Sequence, residues 1–160
     1  MANSFTADVK NEVAHASNKN ACCSAAEIAG FIRACGAVIL AGKAGMGLKL
    51  ATENAAVARR YKSLLEAEYG VSIRLMVGEA AAGRRSHVYE LSIQPGKRAD
   101  TLLTATGIIT IEGGNRHLRS GFGEAMMRRK CCRKACLKGL FLGAGTVSDP
   151  ERGYNLEIVL

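Results

Sequence analysis

Residues 136–147 read CLKGLFLGAGTV, and they place three glycines inside a run whose apolar residues recur at helical spacing. Glycine in a helix interior costs roughly 1 kcal/mol relative to alanine. Gly139, Gly143 and Gly145 therefore need a compensating contact, and a second backbone pressed against that face is the usual one.

The partner is in the same chain. At an offset of 109 residues, CCSAAEIAGFIRACGAV (Cys22 to Val38) aligns without a gap on CCRKACLKGLFLGAGTV (Cys131 to Val147). Identities fall at both cysteines of the pair, and at Ala26/Ala135, Gly30/Gly139, Gly36/Gly145 and Val38/Val147. A shorter echo links GLKLATE at Gly47 with YNLEIVL at Tyr154, both alternating as strands do. The pattern is an internal duplication. Each copy carries small-xxx-small, Gly30 with Ala34 and Gly139 with Gly143, so two helices stripped to backbone on one face are expected to cross there, with dispersion offsetting the glycine cost.

Composition sets the class. The chain has 160 residues, 48% hydrophobic and 22% charged, with a net charge of +8. That length suits one domain with its own core. The positive balance favours an anionic partner, nucleic acid first. No stretch offers eighteen consecutive apolar residues, and MANSFTADVKNEV has no signal-peptide pattern, so a cytoplasmic, nucleoid-associated protein without a membrane partner is expected. Six cysteines in no scaffold spacing are expected to be reduced thiols. His15, His87 and His117 raise the question of zinc, but adjacent cysteines are not the C-x-x-C spacing of a tetrahedral site. The two pairs read as small apolar filler at the helix starts, with no metal and no cofactor expected.

L-x-G-x-x-x-small-x-G occurring twice in one chain resembles the LAGLIDADG homing-endonuclease signature. The resemblance implies an α+β, pseudo-twofold repeat in which two central packed helices lie against an antiparallel sheet that straddles DNA. The eighth motif position, the metal-binding acid of that family, falls here on Cys35 and Ala144. Cleavage through two metal ions needs carboxylates. Ala144 offers no ligand and a thiol suits magnesium poorly, so no nuclease activity is expected. Glu27 and Asp149 are the other acids nearby, neither on the equivalent turn.

A closer likeness covers nearly the whole chain. SFTADVKNEVA from Ser4, TENAAVARRYKSLL from Thr52, YGV from Tyr69, RKCCRKACLKGLFLGAGTVSDP from Arg129 and YNLEIV from Tyr154 resemble the WhiA family of bacterial regulators. The resemblance implies a degenerate LAGLIDADG domain joined to a C-terminal helix-turn-helix domain, and a role as a DNA-binding factor in sporulation, cell division and chromosome segregation. No segment here resembles the helix-turn-helix. A first repeat over about 4–110 and a second from about 124, truncated at 160, suggest part of a longer protein.

The coarse layout runs from a helix over about Thr6 to His15, through the first motif helix at about Ser24 to Gly36, to a hairpin around GKAGMG. A helix capped by Asn54 and ended by Gly70 follows. Strands come next near Val71 to Val77 and His87 to Gln94, then a helix from about Lys97, and a glycine-rich connection into the second motif helix. In the two strands, Ser72, Arg74 and Met76, and Val88, Glu90, Ser92 and Gln94, are expected to face away from the helices.

Charge gathers late. From Glu112 to Lys138 eight basic residues meet two acids, giving six of the eight net positive charges. Arg116, Arg119, Arg128, Arg129, Lys130, Arg133 and Lys134 are the DNA-binding candidates of this run. With only Phe122 as an aromatic, they point to phosphate contact on double-stranded DNA over base readout. Arg74 on the sheet, and Arg84 and Arg85 in a loop, are further candidates. The alternative is a protein-interaction module that contacts transcription machinery or a co-regulator without touching DNA.

Overall fold

The computed structural model describes residues 4–80 and 86–160. Six α-helices and eight strands appear among the described residues. The first helix, α1 (Phe5–Ala14), starts where the Ser4 hydroxyl accepts the Ala7 amide. The first motif helix, α2 (Ala21–Cys35), runs straight into β1 (Gly36–Leu40), and a short 3-10 turn over Gly42–Ala44 leads to β2 (Met46–Thr52). Asn54 accepts the Val57 amide to cap α3 (Ala55–Tyr69). That helix ends on Gly70 at φ 62°, the left-handed cap a side chain would resist.

Strands β3 (Arg74–Glu79) and β4 (His87–Ile93) complete an antiparallel sheet in the order β1-β2-β4-β3. Its register sets Leu48 opposite Ile93 and Leu50 opposite Leu91, so these four share the face that is buried. Against them pack Leu65 of α3 and Leu102 of α4 (Lys97–Ala105). Phe31 of α2 stacks on Tyr61 of α3, ring centroids 3.6 Å apart.

The glycine-rich connection holds structure the sequence reading left out. Ile109–Glu112 (β5) and Asn115–Leu118 (β6) form an antiparallel hairpin turned by Gly113 and Gly114, both at positive φ, the requirement of a type I′ turn. A one-turn helix, α5 (Glu124–Arg128), then precedes the second motif helix, α6 (Lys130–Ala144). This passes directly into β7 (Gly145–Val147), which pairs with β8 (Leu156–Ile158) across a 3-10 turn over Pro150–Arg152. Thr6 joins the two repeats: its hydroxyl donates to the Val147 carbonyl at 2.9 Å and accepts the Val147 amide at 3.0 Å.

β4 keeps the expected alternation, with Leu91 and Ile93 toward the core and Ser92 beside Lys49 and Arg74 on the outer face, where it is nonetheless buried while Glu90 on the same face is partly exposed. The Ser92 hydroxyl lies 3.4 Å from Glu90 Oε1, which gives the buried group its partner.

Candidate functional site

The helices α2 and α6 pack along their whole length, and the glycines determine how closely. A Cβ on Gly30 would overlap the Cys136 carbonyl oxygen, and one on Gly139 would overlap the Glu27 carbonyl oxygen. One turn on, a Cβ on Gly143 would strike Ala34 Cβ. The obstacles at the first two positions are main chain, which cannot swing aside as a side chain can. Gly30, Ala34, Gly139 and Gly143 thus lie together at the crossing.

Just above the crossing is a buried ion network that the sequence did not reveal. Glu27 is 0% exposed. Its carboxylate accepts from Arg60 Nε and Nη2 at 2.7 and 2.8 Å, from Asn18 at 2.6 Å and from the Tyr61 hydroxyl at 3.1 Å, with Lys138 Nζ 3.8 Å away. Burial pushes the carboxyl pKa up, but hydrogen bonds from Arg60 and Asn18 and the nearby cations outweigh it and hold it below the ordinary value. Fully satisfied by cations from α3 and α6, Glu27 is a cross-brace and not a free metal ligand. Asp149 is also engaged: it caps the 3-10 turn by accepting the Glu151 amide at 3.0 Å.

At the carboxyl ends of the motif helices, Cys35 and Ala144 stand where the resemblance puts the acids. The Cys35 thiol donates to the Phe31 carbonyl at 3.4 Å, and burial raises its pKa to about 12. Lys10 of α1 lies 5.7 Å from the centroid of the Phe141 ring. A cleft of about 1090 Å³ opens beside these ends, with Lys10, Asn11, Arg59 and Gly143 in its wall. No carboxylate from either motif helix lines it.

The basic candidates divide into separate regions. Arg116 is bound in a bidentate pair to Asp100, at 2.8 and 2.6 Å. Arg119 is exposed just beyond the hairpin and raises the local positive charge felt by Arg33. Arg33 itself, which the sequence reading passed over, donates to the Gly121 carbonyl at 2.7 Å and faces the Phe122 ring. It fastens the connector to α2.

Arg128, Arg129, Lys130, Arg133 and Lys134 gather at the amino end of α6 and are all exposed. Two of them are engaged: Arg133 donates to the Met127 and Arg128 carbonyls at 2.8 and 3.0 Å, and Arg129 Nη1 lies 3.7 Å from Cys22 Sγ. Arg128, Lys130 and Lys134 enter no ion pair among the described residues. A fifteen-residue helix is about 22 Å long, so this cationic end is that far from the sheet end. On the sheet, Arg74 is exposed on β3 while Lys49 and Glu90 pair at 3.5 Å, leaving the face only weakly positive. Arg84 and Arg85 lie outside the described residues.

At the same amino end Cys23 and Cys132 are buried in an apolar cluster, as filler at the helix starts would be, and the two pairs lie side by side. The α2–α6 pairing brings Cys22, Cys23, Cys131 and Cys132 together with all four Sγ atoms within 4.8 Å of one another. Spacing along the chain hid this. The offset of the duplication contained it.

Comparison with known proteins agrees with this architecture. Residues 21–109 match the WhiA N-terminal LAGLIDADG-like domain, and residues 133–160 match the WhiA LAGLIDADG-like domain. The probable cell division protein WhiA of Alkaliphilus oremlandii is 37% identical over 157 residues, covering 98% of this chain and 49% of that protein. The protein of the same name from Desulforamulus reducens is 37% identical over 156 residues, covering 98% and 48%. The chain spans about half the length of these curated relatives. Among solved structures, full-length DUF199/WhiA from Thermatoga maritima superposes with a TM-score of 0.67 at 18% identity, over 98% of this chain and 44% of that one. The N-terminal LAGLIDADG domain of DUF199/WhiA gives 0.70 at 17% identity, over 99% and 67%. No described helix is long and apolar enough to cross a membrane. With its duplicated motif, its glycine-set helix crossing and matches over both repeats, this chain belongs to the WhiA family through its LAGLIDADG-like domain.

Proposed function

We infer that this chain is the non-catalytic, DNA-contacting part of a transcription regulator acting at the nucleoid in cell division, chromosome segregation and sporulation. The observation that carries the reading is the cationic amino end of α6, where Arg128, Lys130 and Lys134 are exposed and unpaired by any described acid. Such a surface suits phosphates. It has no stacking platform for unpaired bases, and Phe122 is taken up by Arg33. Sequence discrimination then falls to another part of the full-length protein. Cys35 and Ala144, with Lys10 nearby, support the non-catalytic half of the reading.

Duplex binding measured across a salt series tests it. Each phosphate contact contributes a slope of about −0.9 in log K against log salt. Replacing Arg128, Lys130 and Lys134 by glutamine is expected to weaken binding to all sequences alike and to flatten the slope by up to about three units. No binding by the parent at low salt, or an unchanged slope in the variant, removes the DNA reading in favour of a protein-interaction module for transcription machinery or a co-regulator. Arg116, already held by Asp100, is expected to contribute little.

A further inference from the structure

We propose that Cys22, Cys23, Cys131 and Cys132 form a four-thiolate site for a single zinc ion that staples the amino ends of the two motif helices together. The geometry is the first support. Four sulfurs lie within 4.8 Å of one another, and a tetrahedral zinc–sulfur shell with bonds of about 2.3 Å has its sulfurs about 3.8 Å apart. Small side-chain rotations close that difference. Four thiolates also complete a tetrahedron, the closed shell of a structural site rather than the open one of a catalytic centre. The spacing accommodates one ion among the sulfurs. Soft donors select zinc over magnesium or calcium.

The surroundings supply what a thiolate shell needs. Each cysteine pair occupies the first turn of its helix, and neither helix start has a side-chain cap. Two positive helix ends and their amide groups therefore converge on the sulfurs and favour thiolate over thiol. A zinc ion with four thiolates carries a net charge of −2. Arg129 approaches Cys22 Sγ at 3.7 Å, and Lys130, Arg133 and Lys134 stand on the same turns, so compensating charge is already in place. Cys23 and Cys132 are buried in an apolar cluster with Ala26, Ala135 and Cys136, against which Phe122, Met126, Met127 and Leu140 pack, and an apolar surround limits access of water and competing ligands. Zinc displaces the thiol protons to solvent on binding, so affinity falls as the pH falls.

The site shares Lys130 and Lys134 with the DNA reading, but its test uses no DNA and stands apart from it. The purified chain, kept reduced, is loaded with zinc or cobalt and freed of excess metal. One zinc per chain is expected by elemental analysis, with four of the six thiols protected from alkylation. The cobalt form should show the intense visible bands of tetrahedral geometry and a sulfur-to-cobalt charge-transfer band whose strength reports four thiolates. Cys22→Ser with Cys131→Ser is expected to reduce zinc retention at least about tenfold, while Cys136→Ala, on the same helix but outside the cluster, retains it. Should the double variant fail to fold, the cobalt spectrum of the parent decides alone. Failure of the folded, reduced parent to bind zinc or cobalt through thiolates overturns the proposal. So do iron or copper in place of zinc, intramolecular disulfides as the stable state of the four cysteines, or equal metal loss from Cys136→Ala.

Discussion

At the carboxyl ends of α2 and α6, the eighth motif positions are Cys35 and Ala144, unlike each other and close to Lys10. At the amino ends, about 22 Å away, the same two helices present identical cysteine pairs that meet each other. Between these ends lies the glycine crossing, identical at Gly30 and Gly139. The two repeats therefore agree at the closest backbone contact, Gly30 and Gly139, and where sulfur lies near sulfur, and at the carboxyl end they keep the flanking glycines Gly36 and Gly145 but differ at the one position where a nuclease would need paired acids. Within this chain, the identical positions are those with a symmetric contact to make: glycine against backbone at the crossing and cysteine beside cysteine at the amino ends.

The strongest test of that contrast is at the crossing, because both ends depend on it. Overpacking a core typically costs about 1–3 kcal/mol. Gly139→Leu drives a side chain into main-chain atoms of α2, so its cost is expected to exceed that range and to remove the cooperative thermal transition. A parent-like transition would break the claim that backbone contact sets the helix separation. Glu27→Ala comes next. Removing one partner of a buried ion pair typically costs about 3–5 kcal/mol, and Arg60 and Lys138 would be left near the crossing without their acid; urea unfolding measures the loss.

The same carboxylate has a pH signature. Its pKa is lower in the folded chain than in the unfolded one, so its stabilisation is present above the unfolded value of about 4.3 and is lost as pH falls through the folded value. Glu27→Gln should remove that acid limb from the stability profile, and an unaltered limb would assign it to other groups.

Gly121→Ala sharpens the comparison from the connector. The site has open space for a methyl, yet φ is 72°, and a left-handed residue other than glycine costs about 1–2 kcal/mol. A fall in Tm of about 2–8 °C is expected. The smallest expected effect is at the carboxyl end: supercoiled plasmid incubated with magnesium or manganese should show no nicking. Cleavage abolished by substituting Asp149, in a variant that keeps the parent's thermal transition, would reinstate a catalytic role for this end.

What the sequence disclosed, and what it hid, follows the range of the interactions. The motif helices, the Asn54 cap and the Gly70 stop are local patterns, and they occur where expected. The β5–β6 hairpin was hidden by its own turn, since Gly113-Gly114 was absorbed into a glycine-rich connector when the adjacent glycines were themselves a hairpin signal. Glu27 is different in kind: its partners come from three separate parts of the chain, Asn18, the Arg60-Tyr61 pair of α3 and Lys138 of α6, and no spacing joins them to Glu27. The cysteine cluster falls between these cases. Its residues are 109 positions apart, yet the alignment of the repeats already paired them.

The helix crossing also dictates an order of assembly. Residues 30 and 139 touch through backbone, so the contact closes a loop of about a hundred residues, and such non-local closure slows folding. During synthesis at about 5–20 residues per second, α2 emerges several seconds before α6 exists. Throughout that interval its small-residue face has no mate and Glu27, although its partners Asn18, Arg60 and Tyr61 are already made, lacks the Lys138 cation, and the first repeat waits with an open groove. The nascent chain is thus expected to be most vulnerable to chaperone capture or proteolysis before residue 144 is made, and its protection is expected to appear abruptly once the second motif helix docks.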